Sequence, residues 1–279
     1  MGFLLSKAAL FFILLSTGGF LVYIIKQKKQ VFRWSYILLA VGFIFHTLFL
    51  VQQYYNLGTA PVISLKSALS FFSWCIIGVY LLFQMRFGLM VLGSFIAPLA
   101  ASMMIISSAI PETEMVIRPM LKSAWLTVHV GTIFIGDGIF AIAFMAAIMY
   151  LIQERHIKNK TRGSLYKRLP SLETLDSINH YSLVYGFPFL TLGMISGAIY
   201  AQHALGSYWR WDPKEVWTLI TWISYAVLLH ERLAVGWRGR RAALASIICF
   251  IILLFTFIGG SVWLSDYHSF SQLGGRNGL

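Results

Sequence analysis

Charge is scarce in this chain, and acid is scarcer than base. Only 11% of the 279 residues are Asp, Glu, Lys or Arg, and 10 acids stand against 22 bases. Soluble globular chains carry about a quarter of their residues charged, so the shortage argues against a soluble fold. Cysteine numbers two. Cys75 and Cys249 both fall inside apolar stretches, where a thiol behaves as a small hydrophobe and says nothing about the redox compartment. No CxxCH occurs, so the chain does not itself bear a covalent c-type haem. It has neither a Walker loop nor a dinucleotide fingerprint, which removes ATP-driven transport and nicotinamide chemistry as its direct activities. Internal repeats, low-complexity tracts and long linkers are missing too, leaving a single domain over residues 1–279.

What the chain has in abundance is apolar length: 58% of it is hydrophobic and its mean hydropathy is +0.74. A helix needs about 20 apolar residues to cross a hydrocarbon layer, because lipid satisfies no unpaired backbone group. Eight stretches qualify: Leu5–Ile25, Ser35–Tyr55, Ser67–Met85, Gly88–Ser108, Ala124–Ile152, His180–Ala201, Val216–Ala234 and Ala242–Leu264. The expected fold is therefore an all-α polytopic membrane protein of about eight helices. The first stretch reads as a span. It exceeds a signal-peptide core, little charge precedes it and no small-residue cleavage site follows.

The net charge of +12 does not require nucleic acid, because the basic residues cluster in alternate connections. Fifteen of the 22 lie at 26–33, 86, 155–168 and 232–241. The positive-inside bias makes that side cytoplasmic. Both termini then lie outside, with the connections near 56–66, 109–123 and 202–215. The longest polar connection, Gln153 to Asn179, is expected to form a short surface helix suited to anionic lipid headgroups.

The outer segment 202–217 contains LGSYWRWDPKEVW, Leu205 to Trp217. An interfacial aromatic belt would account for one tryptophan. It does not account for three within thirteen positions interleaved with acids and bases. The composition suits haem, a flat apolar ring with two carboxylates at one edge. Trp209, Trp211 and Trp217 would supply a flat platform. Arg210 and Lys214 would meet the carboxylates, Asp212 and Glu215 would steady those cations, and Pro213 would stiffen the turn.

Axial ligands would be neutral imidazoles. His129, near the outer end of the fifth stretch, and His268, just beyond the eighth, reach the level of the tryptophans and make a plausible pair. His203 is a lower-ranked candidate on the same side. His230 lies roughly 20 Å deeper by helical rise, with Glu231 and Arg232 placed to hold its second nitrogen or a propionate. His46 is a poor axial partner for it in depth and reads as a structural hydrogen-bonding residue. His156 and His180 read as solvated. Asp137, a carboxylate deep in the fifth stretch, is a functional suspect or a protonated structural acid.

These residues resemble a known family, the Trp-rich (WWD) haem-handling membrane proteins, and within it the CcsA/ResC subunits of System II cytochrome c biogenesis. The resemblance is carried by GFPFLTLGMISGAIYA at Gly186–Ala201, GSYWRWDPKEVWTLITWISYAVLLHERL at Gly206–Leu233, GWRGRRAA at Gly236–Ala243 and HSF at His268–Phe270. LKSAWLTVH, ending at His129, resembles the family's first outer ligand region. The resemblance implies that His129 and His268 ligate an outer haem b, and that Trp209, Trp211 and Asp212 form its platform. It implies that His230 ligates an inner haem whose second ligand comes from a CcsB/ResB partner. The implied function is haem delivery and attachment to the CxxCH of an apocytochrome c, in a bacterial cytoplasmic membrane or a thylakoid. A CcmC-like exporter without ligation activity, or a haem-bearing electron-transfer subunit, are the alternatives.

Overall fold

Among the residues that the computed structural model describes, 2–62, 64–111, 122–160 and 166–262, all regular structure is helical. Eight long helices follow in order: α1 Gly2–Lys26, α2 Lys29–Leu57, α3 Leu65–Phe87, α4 Gly93–Ala109, α5 Ala124–Lys158, α6 Leu172–Leu205, α7 Pro213–His230 and α8 Arg240–Val262. The expected all-α polytopic fold is present.

Neighbouring helices alternate in direction, and serine hydroxyls tie them where apolar packing alone would leave the register loose. Ser107 Oγ donates to the Lys66 carbonyl (2.7 Å) and Ser73 Oγ to the Ala100 carbonyl (2.8 Å), so each step forward on α3 is a step back on α4. Ser16 Oγ on α1 donates to the Ser35 carbonyl of α2 (2.7 Å), and Ser94 Oγ on α4 to the Phe20 carbonyl of α1 (2.9 Å). Without a hydrophobic drive between helices in lipid, such bonds and close backbone approach do the gluing. α5 is the most interior helix, and its pairing with α6 is the most extensive in the molecule.

His46 is fully buried, and its Nε2 pairs with Ser70 Oγ at 2.9 Å. It joins α2 to α3, the structural part read for it from the sequence.

Seven of the eight helices are long and apolar enough to cross a membrane; α7 is not among them. It nonetheless runs the depth of the bundle, antiparallel to α6 and α8. Trp217 at its start packs on Phe255 near the end of α8 (4.5 Å between centroids). Midway, Trp222 Nε1 donates to Thr191 Oγ1 of α6 (3.0 Å). A π turn, Glu231–Val235, extends it, and there Arg232 reaches Asp176 near the start of α6.

The connection after α5 differs from its expected form. Residues 172–179 make no separate surface helix but are the first two turns of α6. Ser171 caps that helix by accepting the Thr174 N–H (3.2 Å). Leu175 and Ile178 are buried one turn apart, the spacing of an inward helix face.

Candidate functional site

Alternation of the helices brings the start of α5, the end of α6 and the start of α7 to one end of the bundle. The basic residues at the end of α5, the π turn and the start of α8 collect at the other. α6 stops at Gly206, whose φ of 76° admits the left-handed cap and whose N–H donates to the Gln202 carbonyl (3.0 Å). Ser207 Oγ then donates to the Trp209 carbonyl (2.8 Å). Asp212 starts α7: its Oδ1 accepts the Glu215 N–H (2.9 Å), Pro213 occupies the first turn, and Glu215 Oε2 accepts the Arg210 N–H (2.7 Å). Asp212 is thus the N-cap of α7, with Pro in its first turn, while Glu215 reaches back past it to the turn before. The two carboxylates expected to steady cations thus first hold backbone.

Trp209 and Trp211 meet edge to face, centroids 5.9 Å apart at 84°. They form a corner, not the flat platform read from the sequence. A left-handed Trp211, φ 58°, turns the chain between them, so rings two positions apart do not share a plane. Trp211 is 73% exposed. Trp209 buries its Nε1, which has no hydrogen-bond partner among the described residues, a donor suited to a carboxylate edge. Trp217 lines the α7–α8 side through Phe255. Its carbonyl accepts Thr221 Oγ1 (2.9 Å) and Thr256 Oγ1 (3.2 Å).

His129, in the second turn of α5, is half-buried. Its Nδ1 lies 2.8 Å from the Gly193 carbonyl of α6. A carbonyl only accepts, so Nδ1 carries the proton and the ring's lone pair sits on Nε2, the tautomer a metal-ligating imidazole adopts. One turn earlier Trp125 Nε1 donates to the Ser196 carbonyl (2.8 Å). The neighbours that orient His129, Gly193 and Ser196, were not singled out in the sequence; small residues three and four apart on α6 are a signal shared with ordinary helix packing. His203 lies exposed in the last turn of α6. His268 lies outside the described residues.

At the other end His230 is exposed, as are Ile220, Ile223 and Val227 on the same face of α7. Arg232 is not available to it, a correction to the sequence reading. Its buried guanidinium donates from Nε to His180 Nδ1 (3.3 Å), from Nη1 to Asp176 Oδ1 and Asn179 Oδ1 (both 3.2 Å), and from Nη2 to the Asp176 carbonyl and Oδ2 (3.2 and 3.0 Å). His180 is therefore a neutral acceptor rather than a solvated residue. Asp137 is buried within the core.

Among the described residues no three His, Cys, Asp or Glu side chains converge on a bare metal site. Single imidazoles are what a macrocycle needs, since it fills the iron's remaining positions itself. An orphaned indole N–H, exposed aromatic faces and one oriented neutral histidine fit such a guest.

Fold and site together define a polytopic helical membrane protein with an aromatic, histidine-bearing end. The chain belongs to the cytochrome C assembly protein family, whose model matches residues 34–268. It is similar to the cytochrome c biogenesis protein CcsA of Chlamydomonas reinhardtii, 34% identical over 241 residues that cover 84% of this chain and 67% of that one. The CcsA of Guillardia theta is 30% identical over 269 residues, 90% of this chain and 89% of that one. That of Synechococcus sp. (strain CC9902) is 30% identical over 259 residues, 84% and 85%. Among solved structures, cytochrome c heme lyase CcmF shares the fold over 98% of this chain, with a TM-score of 0.66 and 17% identity. The chain spans 48% of that protein's length.

Proposed function

We propose that this chain acts in cytochrome c biogenesis as the haem-carrying part of a holocytochrome c synthase. It takes haem b at His230 in the cytoplasmic half of a bacterial cytoplasmic or thylakoid membrane. It presents haem on the outer face between His129 and His268, against Trp209 and Trp211, with Trp217 as a side wall and Arg210 and Lys214 toward the propionates. Asp212 holds the turn. One domain, 1–279, does this, and residues 202–217 are its outer haem-binding segment. A CcsB/ResB-type subunit supplies the second inner ligand, and the exposed face of α7 that ends in His230 is the side it would approach.

The observation that carries this reading is the His129 imidazole, fixed by the Gly193 carbonyl in the ligating tautomer at the tryptophan end. The chemistry asks for position. Each thiol S–H of CxxCH adds across one vinyl C=C, so no group leaves, and holding ring and peptide together lowers the barrier.

His129→Ala and His268→Ala each lower haem retained at the outer site about tenfold or more, and added imidazole restores part of it. A double variant that purifies with full haem and an unchanged spectrum sinks the outer site. Co-expression with and without the partner, scored by thioether-linked haem on a CxxCH substrate, separates a synthase from an exporter that only releases haem. It also separates it from an electron-transfer subunit that keeps its haem.

A further inference from the structure

The glycines of α6 are not equivalent. A Cβ on Gly186 would meet the Phe140 ring (2.7 and 2.9 Å), and one on Gly193 would overlap Ile133; both mark tight apolar packing of α5 on α6. A Cβ on Gly197 would overlap His129 Cε1 and lie 2.9 Å from Nδ1 and 3.2 Å from Nε2. The edge of the imidazole that carries both nitrogens therefore sits in the space left by one missing methyl. Ring, Gly193 carbonyl and Ser196 form one seat: Ser196 Oγ donates to the same carbonyl (2.8 Å) and stands 3.4 Å from Nδ1. The Trp125–Ser196 bond closes α5 down on it one turn away.

Resting on the reading of His129 as an outer haem ligand, we propose that Gly197 is a positioning residue. It lets the ring lie close enough to α6 for Nδ1–H to reach Gly193, which keeps the lone pair on Nε2 directed away from that carbonyl. An alanine there leaves the ring two choices, to rotate off the carbonyl or to push α6 away. Either loosens the ligand's aim. Outer partners of ligating histidines commonly matter about 10- to 100-fold in metal affinity, so the same range is expected in haem retention.

The test compares Gly197→Ala with Gly186→Ala, a methyl of equal size between the same two helices but away from the histidine. Both are made in the full chain with its partner subunit, alone and in a His129→Ala background. Gly197→Ala is expected to lower haem content, shift the Soret band and respond to added imidazole, whereas Gly186→Ala changes none of these beyond any loss of folded protein. Gly197→Ala is also expected to lower the thermal midpoint when His129 is present and to leave it unchanged once the ring is gone. Equal destabilisation in both backgrounds, or a full haem complement with an unshifted Soret band, overturns the assignment. If His129→Ala itself keeps full haem, the outer-site reading fails instead, and the two failures are told apart by that single variant.

Discussion

Trp211 holds a φ of 58°, a conformation that costs a bulky L-residue about 1–3 kcal/mol. Among the described residues the other two non-glycine ones with positive φ, Gln27 and Lys160, merely follow the ends of α1 and α5. Trp211 recovers little within the chain, because its indole is 73% exposed. The strain makes sense if the ring's partner is a guest. Trp211→Gly is then expected to raise the thermal midpoint of the haem-free chain, by about 1 kcal/mol of relieved strain, while haem retention falls. Trp211→Phe keeps both strain and an aromatic face and should hold most of the haem. Equal haem in the glycine variant would divorce the strain from binding. The tryptophans, the histidines and the two acids Asp212 and Glu215 were all legible in the sequence. Their geometry was not, since a positive φ in the middle of the segment turns a supposed plane into a corner, and the carboxylates turn out to hold backbone N–H groups. Gly197 was unreadable as a seat because what fills its missing Cβ comes from 68 residues earlier in the chain.

Among the elements, α6 shows most clearly what apolar runs reveal and what they hide. Its membrane portion was visible as an uninterrupted stretch, but its first two turns carry Asp176 and Asn179 and read as a connection. Packing converts those polar residues into the lock of the basic end. Arg232 commits all five of its N–H donors to Asp176, Asn179 and His180. Asp176 Oδ1 also accepts the Gly239 N–H (2.9 Å), and Asn179 Nδ2 reaches the Ala143 carbonyl and Ser246 Oγ (both 2.9 Å). One cluster thereby ties α5, α6, the π turn and α8. Sequence patterning cannot distinguish a buried, fully paired arginine from a surface one. Arg232→Leu leaves the part-buried Asp176 carboxylate and the buried Asn179 without their donor and is expected to cost about 1–3 kcal/mol. Arg232→Lys should rescue little, because a compact ammonium cannot match a planar five-donor fork. Thermal unfolding of the complex in detergent checks both, and a lysine variant as stable as the parent would refute the fork argument.

For the whole molecule, charge and packing bear together on how α7 lies. By its own composition α7 falls short of a span, with Lys214 and Glu215 at one end and His230 at the other. Thr221 and Trp222 nevertheless bond to Thr256 of α8 and Thr191 of α6, so its neighbours hold it within the bundle. If it crosses, the tryptophan segment and the Gly-Trp-Arg-Gly-Arg-Arg turn lie on opposite faces, and the positive-inside bias puts the turn in the cytoplasm. If it does not, both lie on one face and the two proposed haem sites fall in one compartment. Single cysteines decide this against a low background, because native Cys75 and Cys249 are 2% and 5% exposed. Tyr208→Cys, at a 61% exposed position, is expected to react with a membrane-impermeant maleimide added outside intact cells. Arg238→Cys and Lys160→Cys should react only after the membrane is opened. Labelling of Tyr208→Cys and Arg238→Cys from the same side would remove α7 from the membrane and, with it, the proposed outward path of haem from His230.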